Sequence, residues 1–164
     1  MKPKNLIMFL SLMPAVLFSQ DSLEKLLKKH NDNSVPYISV DELNGIKNEV
    51  ILLDAREKNE FEISTISSAY FVGFDTFSIE NFTQNFPDKN AHYVVYCSLG
   101  IRSEIIGKQL KKAGYTNVKN LYGGIFEWKN NNFPVVDSTG TETEKVHAFS
   151  KQWSKWLTKG NKVY

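Results

Sequence analysis

The chain has 164 residues, 41% of them hydrophobic and 13% aromatic, with a formal charge of +2. That is enough apolar material to pack one domain, which excludes a disordered chain, and a single cysteine excludes an internal disulfide framework. Lys2 and Lys4 account for the whole charge excess, so nothing in the balance from residue 21 onward points to nucleic acid or an anionic membrane as partner.

The first twenty residues stand apart. Lys2 and Lys4 precede an apolar stretch at residues 6–18, broken only by Ser11 and Pro14, and Ser19-Gln20-Asp21 forms a polar break. A basic start, an apolar run of this length and a small residue near the break predict a bacterial-type signal peptide over residues 1–20. The run is shorter than the roughly 20 apolar residues that a spanning helix needs. The expected location is periplasmic or secreted, without stable membrane association after cleavage.

Residues 21–35 read as a short N-terminal helix and a linker, with Leu23, Leu26 and Leu27 at helical spacing. Pro36-Tyr37-Ile38-Ser39 is a brief strand, and Ser39 caps a short helix that opens at Asp41. Val50-Ile51-Leu52-Leu53 is a continuous apolar run ending at Asp54, the pattern of a strand buried on both faces. Such strands end at the carboxyl edge of a sheet, where the ligand sites of open α/β folds lie. A helical turn at residues 57–61, a strand at 69–72 and a helix at 78–86 follow.

Residues 92–96 form the strand leading into Cys97. The helix after it, residues 102–113, has Ile105, Ile106 and Leu110 as its expected buried face and Gly114 as its stop. A strand at 118–121, a close-packing turn at Gly123-Gly124 and a short helix at 125–129 complete the domain. The alternation predicts an α/β domain over residues 36–136 with a mainly parallel sheet. Residues 137–164 read as a turn-rich link and an appended helix of about four turns. Val146, Phe149, Trp153, Trp156 and Leu157 form its apolar stripe, which either covers the core or makes a dimer contact.

Chemistry concentrates at Cys97-Ser98-Leu99-Gly100-Ile101-Arg102-Ser103. A lone cysteine is often just a small buried hydrophobe. Here it sits at a strand end, before a glycine that permits close approach and before an arginine and a serine that open a helix. Loop amides, the helix dipole and Arg102 together favour a thiolate, which makes Cys97 the expected nucleophile. His30, His92 and His147 are scattered without metal-ligand spacing, so no metal or other cofactor is implied.

These pieces resemble the rhodanese-like sulfurtransferases in their single-domain form. The resemblance rests on Leu53-Asp54-Ala55-Arg56-Glu57 with Glu60-Phe61, on the cysteine loop, on residues 110–114, and on Asn120-Leu121-Tyr122-Gly123-Gly124-Ile125 with Trp128. It implies a three-layer fold with helices flanking the central sheet. It also implies a double displacement: Cys97 takes a sulfane sulfur from a donor and passes it on from a persulfide. Ser98, Leu99, Gly100, Ile101, Arg102 and Ser103 would form the substrate loop, with Asp54 and Arg56 supporting it.

The sequence departs from the family pattern in two places. Ser64-Thr65-Ile66-Ser67-Ser68-Ala69 replaces a Gly-His-Ile and Gly-Ala segment, and Ser98, Leu99 and Ile101 are uncharged where basic residues often meet thiosulfate. A less anionic persulfide or polysulfide is therefore expected beside thiosulfate as donor. With no second cysteine, the acceptor must be external: a small thiol, cyanide or a partner protein. Two other readings use the same residues. One is a non-catalytic interaction module on the same fold. The other is a phosphatase or arsenate reductase, whose loops place five residues between cysteine and arginine where this one places four.

Overall fold

The apolar runs before Asp54 and Cys97 are adjacent strands of a sheet covered on both faces, so neither strand needs a polar side. A computed structural model describes residues 23–164. Strands β1 (Tyr37–Ile38), β2 (Ile51–Asp54), β3 (Tyr70–Phe71), β4 (His92–Tyr96) and β5 (Asn117–Leu121) form one sheet of order β1-β5-β4-β2-β3. Every pairing in it is parallel. The central strand is β4, which carries the nucleophile candidate at its carboxyl end.

Successive strand residues face opposite sides, and the two cores divide on that period. Leu52, Val94 and Tyr96 join one core and Leu53, Tyr93 and Val95 the other. The first core is closed by α1 (residues 23–30), by α2 (Val40–Ile46) and by α6 (Gly124–Asn130), through Leu23, Leu27, Leu43, Ile125 and Trp128. The second is closed by α4 (Ile79–Asn85) and α5 (Arg102–Lys112), through Phe82, Ile106 and Leu110. Helix α3 (Lys58–Ile63) follows β2 and brings Glu60 to the carboxyl edge. This is the three-layer α/β fold that the sequence predicts.

Local chemistry sets the element ends. The Ser39 hydroxyl accepts from the Glu42 amide at 3.2 Å and the Glu42 carboxylate accepts from the Ser39 amide at 2.9 Å, a complete capping box for α2. Ser78 caps α4 by accepting from the Asn81 amide at 3.2 Å. Gly114, at φ +94°, lets the chain leave α5.

Two expectations are corrected. Ile105 is 44% exposed, because the ridge of α5 that meets the sheet is Ser103, Ile106, Gly107 and Leu110. Gly107 belongs to that ridge because a Cβ there would lie 3.0 Å from the Val35 methyls. The appended C-terminal helix is absent: residues 137–164 instead hold β7 (Glu142–Thr143), β8 (Lys145–His147), a 3₁₀ turn (Ser154–Trp156) and β9 (Asn161–Val163).

Strand β7 pairs with β6 (Val135–Val136), and β8 pairs in parallel with β9. Helical spacing of the apolar residues misleads here because Val146, Ala148 and Leu157 enter the core while Phe149 turns outward at φ +63°. A helix cannot pass through that backbone angle. The signal peptide expected at residues 1–20 lies outside the described residues.

Candidate active site

The cysteine loop is held from behind by the start of α6. The Ile125 and Phe126 amides donate to the Cys97 and Ser98 carbonyls at 2.9 and 3.2 Å. Gly124 makes that approach possible: it sits at φ +57°, and a Cβ there would run into the Cys97 carbonyl oxygen and stand 2.7 Å from that of Ser98. The Gly123-Gly124 pair is thus a packing device, as its lack of a phosphate-loop lysine predicts.

In front of that support, Cys97 Sγ is buried and accepts from the Gly100 amide at 3.1 Å and from the Ser103 hydroxyl at 3.5 Å. Gly100 adopts φ +106°, which turns its amide back toward the sulfur. Its carbonyl is fixed by two buried amides, Asn120 Nδ2 at 2.8 Å and Asn31 Nδ2 at 2.9 Å. Asn120 Oδ1 also accepts from the Ser103 hydroxyl at 2.7 Å. That single proton is shared between the sulfur and Asn120, so Ser103 is a donor that adjusts to the charge on Sγ.

Burial pushes the Cys97 thiol up, but the Arg102 charge and the contacts with Ser103 and Gly100 outweigh it, so the net shift is below the ordinary thiol range. Removing the cation should raise the thiol again. In Arg102→Gln, burial acts without the nearby charge, and thiolate ultraviolet absorbance followed against pH should show a higher midpoint than wild type. An unchanged midpoint would mean that the amides alone hold the thiolate.

Arg102 does not point its donors at the sulfur. Its two terminal nitrogens grip Glu60 at 2.6 and 2.8 Å, and one of them also reaches Ser98 Oγ at 3.0 Å. The Ser98 hydroxyl donates to Glu60 at 3.0 Å, closing a partly buried triad. Burial works against the Glu60 charge, yet its bonds to Arg102 and to the Glu57 amide leave its carboxyl below the usual range. The loop is therefore tied to α3 by a charge-assisted fork.

Asp54 and Arg56 lie one step farther back and do not touch the sulfur. Their buried pair closes at 2.7 Å, and Arg56 also donates to the Ser64 carbonyl at 2.6 Å. Asp54 accepts from the Tyr96 hydroxyl at 2.7 Å, and the Ala55 amide donates to the Tyr96 carbonyl at 2.8 Å. Tyr96 precedes Cys97, so this pair fixes the strand end from which the nucleophile projects. Thr65 donates to Asp54 at 3.1 Å, and the Tyr96 hydroxyl receives the Ile66 amide at 3.1 Å, which anchors the divergent 64–69 segment.

Over the sulfur lies a cavity of about 150 Å³ lined by Cys97, Ser98, Leu99, Ile101, Arg102, Phe149 and Trp153. Phe149 stacks its ring 4.8 Å from the Arg102 guanidinium carbon. His147 is buried beside it, and burial and the nearby arginines outweigh Glu60 to keep its imidazole below the ordinary value. Among the described residues there is no group of three or more His, Cys, Asp or Glu that could hold a metal ion.

The structure thus brings Cys97, Ser98, Gly100, Arg102 and Ser103 together, lines the cavity with Leu99 and Ile101, and places Asp54 and Arg56 behind. The amino-acid sequence alone assigns no site role to Glu60, Asn31, Asn120, Phe149 or Trp153. Glu60 had a usable signal, since it stands three residues after Glu57 in a short helix that follows a strand end. The two aromatics had none, because their helical spacing pointed to a core stripe.

A nucleophile candidate at the carboxyl end of the central parallel strand, in a four-residue loop closed by an arginine, defines a class. A rhodanese-like domain model matches residues 22–131, and the chain belongs to that family. It is 36% identical over 98 residues to the adenylyltransferase and sulfurtransferase UBA4 of Meyerozyma guilliermondii, a match covering 56% of this chain and 23% of that one. It is 30% identical over 100 residues to the tRNA uridine(34) hydroxylase of Erwinia tasmaniensis, covering 56% of this chain and 28% of the relative.

The chain therefore spans only about a quarter of the length of these curated relatives. Among solved structures, a rhodanese-like domain protein from Staphylococcus aureus superposes with a TM-score of 0.51 at 29% identity, over 57% of this chain and 91% of that one. A rhodanese-related protein from Thermoplasma volcanium gives 0.54 at 24% identity, over 62% and 97%, and shares the fold. This kinship supports a role related to sulfur transfer.

Proposed function

We propose that the protein is a sulfurtransferase that carries a sulfane sulfur as a persulfide on Cys97. The observation that carries this reading is the setting of Sγ, buried at a strand end with the Gly100 amide at 3.1 Å and the Ser103 hydroxyl at 3.5 Å. The thiolate attacks the sulfane sulfur of thiosulfate, a persulfide or a polysulfide. An S–S bond forms at Sγ, the donor's S–S bond breaks, and its electron pair leaves with sulfite or a thiolate. The same amide and hydroxyl then face the charge of the Cys97 persulfide.

With no second cysteine in the sequence, an external thiol, cyanide or an acceptor protein removes the sulfur. The composition of residues 1–20 supports export to the periplasm or medium. The Arg102 geometry argues against phosphoryl transfer, because both terminal nitrogens are engaged by Glu60 and Ser98 instead of facing an oxyanion. Turnover in the presence of a sulfane donor and cyanide should release thiocyanate. A folded protein that releases none with thiosulfate, polysulfide or organic persulfide would favour the interaction-module reading instead.

A further inference from the structure

The residues that roof the sulfur come from outside the parallel-sheet domain. Phe149 and Trp153 belong to the segment between β8 and β9, and they line the cavity together with Leu99 and Ile101. Phe149 holds a left-handed backbone at φ +63°, which is strained for a bulky residue. The turn is fixed by the Phe149 amide donating to His147 Nδ1 at 3.1 Å and the Ser150 amide donating to the Ala148 carbonyl at 2.7 Å. The ring that this turn projects is 46% exposed and lies over Arg102 rather than entering the core. A strained, outward aromatic at the mouth of a reactive cavity is the pattern of a ligand contact.

Charge in the cavity points the same way. Arg102 is its one cation, and Glu60 neutralises it through two bonds at 2.6 and 2.8 Å. With Cys97 as thiolate, the cluster of these three groups carries a net negative charge, which disfavours a dianion such as thiosulfate. Its free volume of about 150 Å³ is close to that of an apolar cavity that takes up a benzene-sized group.

Building on the proposed persulfide chemistry of Cys97, we infer that Phe149 and Trp153 form a hydrophobic subsite that selects the persulfide of a small apolar thiol over thiosulfate. The apolar group of R–S–SH lies between the two rings while Sγ attacks the outer sulfur. The new Sγ–S bond forms as the S–S bond of the donor breaks, and the electron pair leaves on R–S⁻. The outer sulfur keeps or loses its own proton, and no oxidant or reductant is consumed.

The test is the rate at which Cys97 gains one sulfur atom, read by intact mass with benzyl persulfide or thiosulfate as donor. The wild-type protein should load from benzyl persulfide about tenfold or more faster. Phe149→Asn keeps a residue that tolerates the left-handed backbone and removes the ring, and it should bring the ratio of the two rates toward one. Trp153→Ala should do the same, with circular dichroism used to confirm its fold. Equal loading of the wild type from both donors, or an unchanged ratio in Phe149→Asn, would overturn the subsite while leaving Cys97 as sulfur carrier. No adduct from either donor would overturn the carrier reading and the subsite with it.

Discussion

Cys97→Ser abolishes sulfur transfer and leaves the domain folded. A serine hydroxyl is not ionised by the surroundings that favour the thiolate and is a poor nucleophile toward sulfur, so the loss should reach the order of 10⁴ or more. The fold should tolerate it. The serine oxygen can accept from the Gly100 amide that now meets Sγ at 3.1 Å, and the loop remains held by α6, Asn120 and the Arg102–Glu60 fork. Stability should therefore stay within about 1 kcal/mol of wild type, measured by urea unfolding. Retained turnover in this variant would show that the chemistry lies elsewhere.

Arg56→Met destabilises the domain by about 3–5 kcal/mol, the cost of leaving one member of a buried ion pair without its partner. Both side chains are fully buried, so water cannot compensate Asp54 when the guanidinium is gone. The bond to the Ser64 carbonyl is lost as well. The expected unfolding midpoint is lower in both urea and heat. Combining Asp54→Leu with Arg56→Met removes the uncompensated charge, and Thr65 and Tyr96 keep each other as partners at 2.7 Å. The double variant should be more stable than Arg56→Met alone. A double variant that is equally unstable would assign the effect to packing rather than charge.

These two expectations separate what the sequence makes legible from what it conceals. The strand runs ending at Asp54 and Cys97 are readable because burial on both faces writes an unbroken apolar string. Ser39 announces its helix start because a capping box needs Glu42 three residues later. The cysteine loop is readable because a strand end, a glycine and a helix-opening arginine lie within six residues.

The spacing of Glu60 from Glu57 marks a helix start, but its place in the site comes from a contact 42 positions away, at Arg102. Asn31 and Asn120 meet at the Gly100 carbonyl for the same reason. The C-terminal segment misleads for a different one. Its apolar residues fall at helical spacing, but β8 and β9 satisfy each other's backbone, and Phe149 turns out of the core to stand over Arg102. A periodicity that mixes core residues with ligand-facing ones has no single face to report.

The proposed activity requires that Sγ of Cys97 carry a transferable sulfur. Peptide mass spectrometry after incubation with a sulfane donor addresses it directly. A sulfur-carrying Cys97 should show one added sulfur atom, confined to the peptide containing Cys97, lost on cyanide treatment and absent from Cys97→Ser. A folded protein whose Cys97 peptide gains no sulfur from thiosulfate, polysulfide or benzyl persulfide would contradict it.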